Sequence, residues 1–408
     1  MKTLLQINVV ANSGSTGRIA EEIGRLALAR GWRSVVAYGR WANESESELL
    51  RIGSRADVVC HGVESLLLDR HGLGSARATR RLIEQIEQIR PDIIHLHNIH
   101  GYYINYEILF DYLSRAGVPV VWTLHDCWTV TGHCAHFQHI GCDKWTTQCE
   151  HCQSIKTHDY PASLFVDASA QNFRRKRAAF TSVPNMTLVP VCDWLGGILS
   201  RSFMSGVARR TIYNGIDLDV FRPRDTRAEF DAAYGTSGRF LALAVSSVWT
   251  HLKGLDDLRT LAEQMHDIAF AVVGLTAKQA RKMPSNVISL ERTESAERLA
   301  AIYSAADVFV SPTYYDTLPT VEIEAIACGT PVVSYATAGC RDIVASGCGV
   351  TVGTGDVEAF RRAIERVRSA GKQAFSDACR RHAEQNFNKA ERFRDYMDLY
   401  DSILNNEH

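Results

Sequence analysis

Short apolar runs alternate with amphipathic stretches along the chain, and they do so twice. In the first half the apolar runs are Leu4–Val10, Ser34–Tyr38, Asp92–Leu96, Val118–Leu124 and Met186–Val191, with helical patterns such as Arg18–Ala29 and Ala78–Ile89 between them. The second half repeats the arrangement at Phe240–Ser246, Ile268–Gly274, Val287–Leu290, Asp307–Ser311, Pro331–Tyr335 and Gly349–Val352. Strands separated by helices pair in parallel, because the helical crossover returns the chain to the same end of the sheet. The pattern predicts two α/β units, which a chain of 408 residues can hold. The repeat is one of architecture and not of sequence.

Other classes are excluded by simple bounds. The chain is 46% hydrophobic and 22% charged, with a formal net charge of −1, so no overall charge draws it to nucleic acid. No run approaches the roughly eighteen apolar residues of a membrane span. MKTLLQINVV is short and alternating, and no small-residue cleavage site follows, so it reads as a first buried strand and not as a signal peptide. A cytoplasmic location is expected. In that reducing setting, clustered members of the eleven cysteines hold metal more often than they form disulfides.

In an open parallel sheet, ligands bind beyond the carboxyl ends of the strands. The stretch Ser311–Asp342, SPTYYDTLPTVEIEAIACGTPVVSYATAGCRD, supplies two successive strand exits there. A helix is predicted over about Thr320–Cys328, ended by Gly329 and Pro331. Seven residues separate Asp316 in the loop from Glu324 in the helix. A carboxylate accepts hydrogen bonds from two neighbouring hydroxyls, so Glu324 suits a ribose and Asp316 a sugar. The plainer alternative makes Asp316 a turn residue and puts the glutamates on a solvated helix face.

Other segments carry candidate chemistry. Gly14 and Gly17 bracket a loop that opens a helix, where backbone N–H groups can approach a ligand. It is neither G-x-G-x-x-G nor a P-loop, and taken alone it reads as a plain tight turn. His95, His97 and His100 cluster at a strand end, and the latter two suit acceptor hydroxyls. His125-Asp126 ends another strand, with Asp126 placed to orient the imidazole. Cys134, Cys142, Cys149 and Cys152 are spaced C-x7-C-x6-C-x2-C within an insert over 127–155. They fit a closed, structural zinc site; free or paired thiols are the alternative. His133, His136, His139 and His151 are alternative ligands. The basic run Asn172–Phe180 is either a solvated helix face or a contact for anionic lipid headgroups. Asp217 and Asp219 form a D-x-D, read as structural.

The run D-T-L-P-T-V-E-I-E-A-I-A-C-G-T-P-V-V resembles the E-x7-E segment of retaining glycosyltransferases of family four, which have the GT-B fold of two Rossmann-like domains. The resemblance implies that Glu324 contacts the ribose and Asp316 the donor sugar, with Leu318, Pro319 and Thr320 beside them. Aspartate in place of glutamate shortens the reach by one methylene. Y-N-G-I-D-L-D-V-F-R-P resembles the family's linker. V-W-T-H-L-K-G-L resembles its pyrophosphate loop: Lys253 matches, Val248 stands where an arginine is expected, and Arg292 or Arg341 could replace it. His125 matches a histidine near the reacting centre, and Gly14 and Gly17 fall in the family's cleft loop.

The implied organisation is an acceptor domain over 1–210, completed by a C-terminal helix at 390–408, and a donor domain over 211–389. The implied activity moves a hexose-type sugar, with retention, from a UDP- or GDP-linked donor to a saccharide hydroxyl. The acceptor would be lipid-linked, at the inner face of the membrane, in surface-polysaccharide synthesis. The leaving phosphate would take the acceptor proton, with Lys253 and the helix N-terminus after Ala338-Gly339 stabilising it and no catalytic metal. Two other readings stay open: a non-catalytic GT-B partner protein with a zinc-binding interaction insert, and a nucleotide-sugar epimerase of the same fold.

Overall fold

The structure, a computed structural model, describes residues 1–156, 160–293, 295–345 and 347–405. The chain divides into two compact units, one of Met1–Ile212 with Phe393–His408 and one of Tyr213–Arg392.

In the first unit the strands are β1 (Thr3–Asn8), β2 (Arg33–Tyr38), β3 (Glu48–Arg51), β4 (Ile93–Leu96), β5 (Val120–Leu124), β6 (Met186–Pro190) and β7 (Ala208–Arg209). All pairs are parallel, in the order β3-β2-β1-β4-β5-β6-β7. Helices on both faces explain why β1, β4 and β5 are buried along their whole length. The edge strands escape a sequence reading for a physical reason. β3 and β7 are short and mostly exposed, so neither needs an apolar run.

The second unit holds β8 (Leu241–Val245), β9 (Ala269–Val273), β10 (Val287–Leu290), β11 (Val308–Ser311), β12 (Val332–Tyr335) and β13 (Gly349–Val352). These are parallel in the order β10-β9-β8-β11-β12-β13. Strand order reverses between β1 and β4 in one sheet and between β8 and β11 in the other. Such reversals splay the two outgoing connections apart and open a crevice at the carboxyl ends.

The last helix, Lys389–Asn405, packs into the first unit. Phe393, Tyr396, Met397 and Tyr400 join Leu4, Ile23, Ile93 and Val121 in one core. Tyr400 Oη meets His95 Nδ1 at 2.6 Å, and Thr123 Oγ1 donates to Tyr396 Oη at 3.2 Å. Burying a large apolar side chain contributes about 1.5–3 kcal/mol, so this face of the helix is a main support of the first sheet. Positions 406–408 of the expected terminal segment lie outside the described residues.

Asp217 of the D-x-D accepts hydrogen bonds from the N–H groups of Asp219 and Val220 and pairs with Lys389 at 3.1 Å. It shapes a turn, in keeping with the structural reading. Among the described residues no helix is long and apolar enough to cross a membrane.

Candidate functional site

In the second unit, chemistry gathers where the chain leaves β8, β11 and β12. After β8, Thr250 Oγ1 accepts from Lys253 N (3.2 Å) and closes a single turn, His251–Lys253. Gly254 follows with φ +75°, and a Cβ there would lie 2.0 Å from Pro312 O. Only glycine lets the two strand exits touch, and that contact brings Lys253 to the acidic loop. Lys253 Nζ donates to Asp316 Oδ2 at 2.8 Å. Burial disfavours the ammonium, but Asp316 outweighs it and holds the Lys253 pKa above its ordinary value.

The helix after β11 is Thr320–Ala327, with Pro319 at its N-cap. Pro suits a helix start, where a backbone N–H would be unsatisfied anyway. Glu324 accepts from Tyr303 Oη at 2.9 Å. Glu322, two residues earlier and on the opposite side of the helix, is fully buried. Its Oε1 accepts from Cys340 Sγ at 3.4 Å, and Oε2 has no partner. Burial pushes its pKa up to about 8, even though Ser311, Cys340 and Lys253 favour the anion. At neutral pH Glu322 is therefore a neutral acid. The solvated helix face is thereby corrected for Glu322: that side of the helix lies against the loop after β12.

Tyr303, Glu322 and Asp257 were not singled out in the sequence. Asp257 Oδ2 accepts from Tyr314 (2.8 Å) and Tyr335 (2.6 Å), fixing the loop before Asp316. Spacing gave no sign of Tyr303 or Asp257, which come from two other helices, Ala296–Ala305 and Leu255–Gln264. Glu322 had a signal, since an acid two residues from Glu324 must face the other side of a helix. Leu318 and Pro319 are buried, so a donor contact from them comes through main-chain atoms; Thr320 is half-buried. Arg292 and Arg341 are both exposed, the first just past β10. The helix expected after Ala338-Gly339 is a single turn, Cys340–Ile343, and Gly339 N donates to Thr317 O (3.0 Å). One turn carries little dipole, which weakens the expected stabilisation from that terminus.

In the first unit the exits of β1, β4 and β5 carry a different set. The helix Gly14–Ala29 begins directly after the β1 loop, and Ser13 at its N-cap makes no side-chain capping bond. Gly14 has φ +60° with open space around it; a Cβ at Gly17 would sit 3.1 Å from Val10 Cγ2. His97 Nε2 donates to Gln6 Oε1 (3.1 Å), which leaves Nδ1 to accept from His125 Nε2 at 3.4 Å. His95 is sunk between Thr123 and Tyr400, an ordinary buried histidine.

Asp126 does not orient His125 as expected. Its Oδ2 accepts from His100 Nε2 at 2.7 Å and its Oδ1 from Trp128 N at 2.9 Å. Burial opposes the Asp126 anion, but His100 outweighs that and keeps the carboxyl well below the usual range. His100 is thus locked to a carboxylate and to Tyr160 Oη (3.0 Å), not presented as a loose loop histidine.

The basic run at 172–180 is not one charged face. Asn172, Phe173, Lys176 and Phe180 of the helix Ser169–Phe180 are buried. Lys176 Nζ donates to Trp128 O (2.6 Å) and Thr131 O (3.0 Å) and lies 3.5 Å from the centre of the Trp128 ring. Helical geometry sends every third or fourth residue inward, and Lys176 is on that side. Arg174 and Arg175 share a surface hollow with Glu107 and Asp111 of the neighbouring helix. Among the described residues, which include the four cysteines expected to bind zinc, no group of three or more His, Cys, Asp or Glu side chains is arranged to hold a metal ion.

Residues 16–153 match the family described as Glycosyltransferase Family 4, and residues 239–369 match Glycosyl transferases group 1. A relative aligned along most of the chain is the Escherichia coli K12 protein WcaC, assigned by its name to colanic acid biosynthesis as a glycosyl transferase. It is 25% identical over 371 residues, covering 87% of this chain and 88% of WcaC. D-inositol 3-phosphate glycosyltransferase of Mycobacterium sp. strain KMS is 32% identical over 185 residues, 42% of each chain. Among solved structures, sucrose-phosphate synthase of Thermosynechococcus elongatus superposes with a TM-score of 0.72 at 18% identity, covering 99% of both chains. Anabaena HepE, solved in complex with UDP, gives 0.68 at 14% identity, covering 98% of this chain and 100% of its own. A family match inside each unit, a relative aligned along most of the chain and the shared two-unit architecture support a family-4 glycosyltransferase with the GT-B fold.

Proposed function

We propose that this chain transfers a hexose-type sugar, with retention, from a nucleoside diphosphate sugar to a hydroxyl of a saccharide. The observation that carries the reading is the Lys253–Asp316 pair at the strand-order reversal, with Glu324 held by Tyr303 eight positions beyond Asp316. A donor lying along these exits meets a carboxylate for its ribose, a second for its sugar and a cation for its diphosphate. Asp316 and Lys253 neutralise each other until the donor arrives. Then the ammonium turns to the leaving phosphate, where negative charge develops, and the carboxylate to the sugar hydroxyls. Glu322 in its neutral form adds no negative charge beside that phosphate. These residues need no metal ion for the transfer, and the departing phosphate takes the acceptor proton.

WcaC and the UDP complexes of HepE support a polysaccharide pathway and a nucleotide-sugar donor as the class of substrate. A lipid-linked acceptor at the inner membrane face completes the reading. Exposed Val59, Val63, Leu67 and Leu68 on the helix Arg55–Leu68 favour such a surface more than the partly buried basic helix does. Phe165 is 78% exposed, and the neighbouring Leu164 N donates to Leu66 O at the end of that helix.

A thermal-shift screen of UDP-, GDP- and ADP-sugars tests the donor. One nucleotide class is expected to raise the melting temperature, and Glu324→Ala to abolish the rise. No shift with any donor would overturn the proposal. Product analysis with donor alone separates transfer from epimerisation.

A further inference from the structure

The helix Arg55–Leu68 is built inside out. Of its fourteen residues only His61 and Ser65 are buried. His61 Nε2 accepts from the main-chain N–H groups of Gly72 (3.1 Å) and Gly74 (3.2 Å), so Nδ1 donates to Ser75 Oγ at 2.9 Å. Its ring stands edge-on to that of Tyr102, with centroids 5.9 Å apart. Val59 and Val63, by contrast, are 64% and 50% exposed, and Leu67 and Leu68 are 39% and 48% exposed. Val59, Val63 and Leu67 follow one another a turn apart and form a line, with exposed Ala56 and Cys60 beside it. Leu164 and Phe165, both exposed, carry the apolar surface past the end of the helix, where Leu164 N donates to Leu66 O at 2.8 Å. A helix packed only for its own unit turns its valines and leucines inward, so this outer face has the composition of one that something else covers.

The charge beside this face indicates what covers it. A hollow next to the first turn of the helix is lined by Arg51, Arg77 and Arg81 and by one carboxylate, Asp57. Ser54 N (2.8 Å) and Ser54 Oγ (2.7 Å) both donate to Asp57 Oδ2, so that carboxylate serves the helix cap. Glu64, the other carboxylate of the helix, pairs with Arg70 at 2.8 Å. The same face of a second copy would therefore bring the three guanidinium groups no spare carboxylate. A guanidinium grips a phosphate through its paired N–H groups. An anionic bilayer supplies phosphate at the headgroups and hydrocarbon just beneath, the two chemistries that this surface presents side by side.

We propose that the helix Arg55–Leu68 lies in the surface of an anionic phospholipid bilayer. Val59, Val63, Leu67, Leu164 and Phe165 enter the boundary between headgroups and acyl chains, and Arg51, Arg77 and Arg81 hold headgroup phosphates. In its role this contact rests on the lipid-linked acceptor proposed above, to which it gives a direction of approach. Tyr102 leaves β4 on the same loop as His97 and His100, and His61 packs on it from the side of the helix opposite Val63. One helix, about 10 Å thick, thus separates the bilayer from the strand exit expected to meet the acceptor hydroxyl. A saccharide whose lipid stays in the bilayer needs only that reach.

Co-sedimentation of the full chain with lipid vesicles tests the contact. Vesicles containing phosphatidylglycerol should bind the chain, and vesicles of phosphatidylcholine alone should bind it far less. Arg77→Gln/Arg81→Gln should weaken binding to the anionic vesicles about 30-fold, roughly 2 kcal/mol at about 1 kcal/mol per charge. Val59→Gln/Val63→Gln/Leu67→Gln should abolish binding while its circular dichroism stays that of wild type; should this variant fail to fold, the arginine variant decides. Equal binding to neutral vesicles, no binding to anionic ones, or a glutamine variant that binds like wild type overturns the proposal. So does light scattering that finds a dimer which the glutamine variant breaks, since a second copy then covers the face. The donor-induced melting shift keeps the two proposals apart. A shift without vesicle binding overturns the lipid contact alone, and vesicle binding without a shift overturns the transfer reading alone.

Discussion

The two units place their chemistry at the same point of the same kind of sheet and use opposite physics there. Beyond β8 and β11 the second unit relies on charge: Lys253 and Asp316 form an ion pair, and Glu324 is a held carboxylate. Beyond β4 and β5 the first unit relies on imidazoles kept neutral. Burial brings the His125 pKa down to about 4 and His95 to about 3, and holds His97 well below its ordinary value. A neutral imidazole both donates and accepts, which suits a hydroxyl; a charged pair suits a diphosphate. Among these strand-end groups the difference leaves Glu322, in the second unit, as the one that burial brings near neutrality.

The largest expected effect breaks the charged side. Lys253→Met should lower kcat/KM by about 100- to 1,000-fold, roughly 3–4 kcal/mol, as losses of charge-stabilising groups do. The double variant Lys253→Met/Asp316→Asn should refold normally, which circular dichroism and melting would show. If His125→Asn costs as much as Lys253→Met, the contrast between the units is wrong.

Next in size is Glu322→Gln. When folded, Glu322 keeps its proton up to about pH 8, whereas the unfolded chain loses it near 4.5. Below 4.5 both states are protonated and nothing is lost. Between 4.5 and 8 the unfolded chain is stabilised by ionising, so stability falls as pH rises, and above 8 the cost is constant. At pH 7 about 2.5 pH units at about 1.4 kcal/mol each give roughly 3 kcal/mol as an upper figure. Glu322→Gln should recover much of this and flatten the pH dependence of denaturant midpoints. An unchanged slope between pH 5 and 8 would show that Glu322 is ionised.

A smaller effect concerns donor affinity. It should stay level from about pH 5.5 to 7.5 and weaken several-fold above pH 8, as Glu322 ionises beside the phosphate position. An inflection between pH 6 and 7 would point instead to a first-unit group, a histidine or the buried Lys176, whose pKa burial brings down to about 7. The smallest expected change is His125→Asn, about five-fold in kcat/KM at neutral pH, since one neutral hydrogen bond to a hydroxyl contributes about 1 kcal/mol.

The interior strands were legible in the sequence because a parallel strand buried on both faces has to be apolar throughout, as Leu241–Val245 and Ala269–Val273 are. β3 and β7 were hidden because nothing covers them. In the candidate site, the spacing of Asp316 and Glu324 could be read because both lie on one short segment. Their partners could not, since Tyr303 comes from the helix Ala296–Ala305 and Lys253 from the exit of β8, and contact between elements leaves no trace in local periodicity. Asp126 misled for a related reason. Adjacency to His125 suggested a pair, but consecutive residues at a strand end point apart, and His100 from the neighbouring strand was nearer.

The helix Lys389–Asn405 starts in one unit and finishes the core of the other. Newly made chain therefore cannot complete its amino-terminal sheet in order of synthesis. Until Tyr396 and Tyr400 arrive, β1, β4 and β5 lack one of their covers, and their apolar face is open to mispairing or to chaperones. A stop codon near position 390 would therefore damage the unit that is made first.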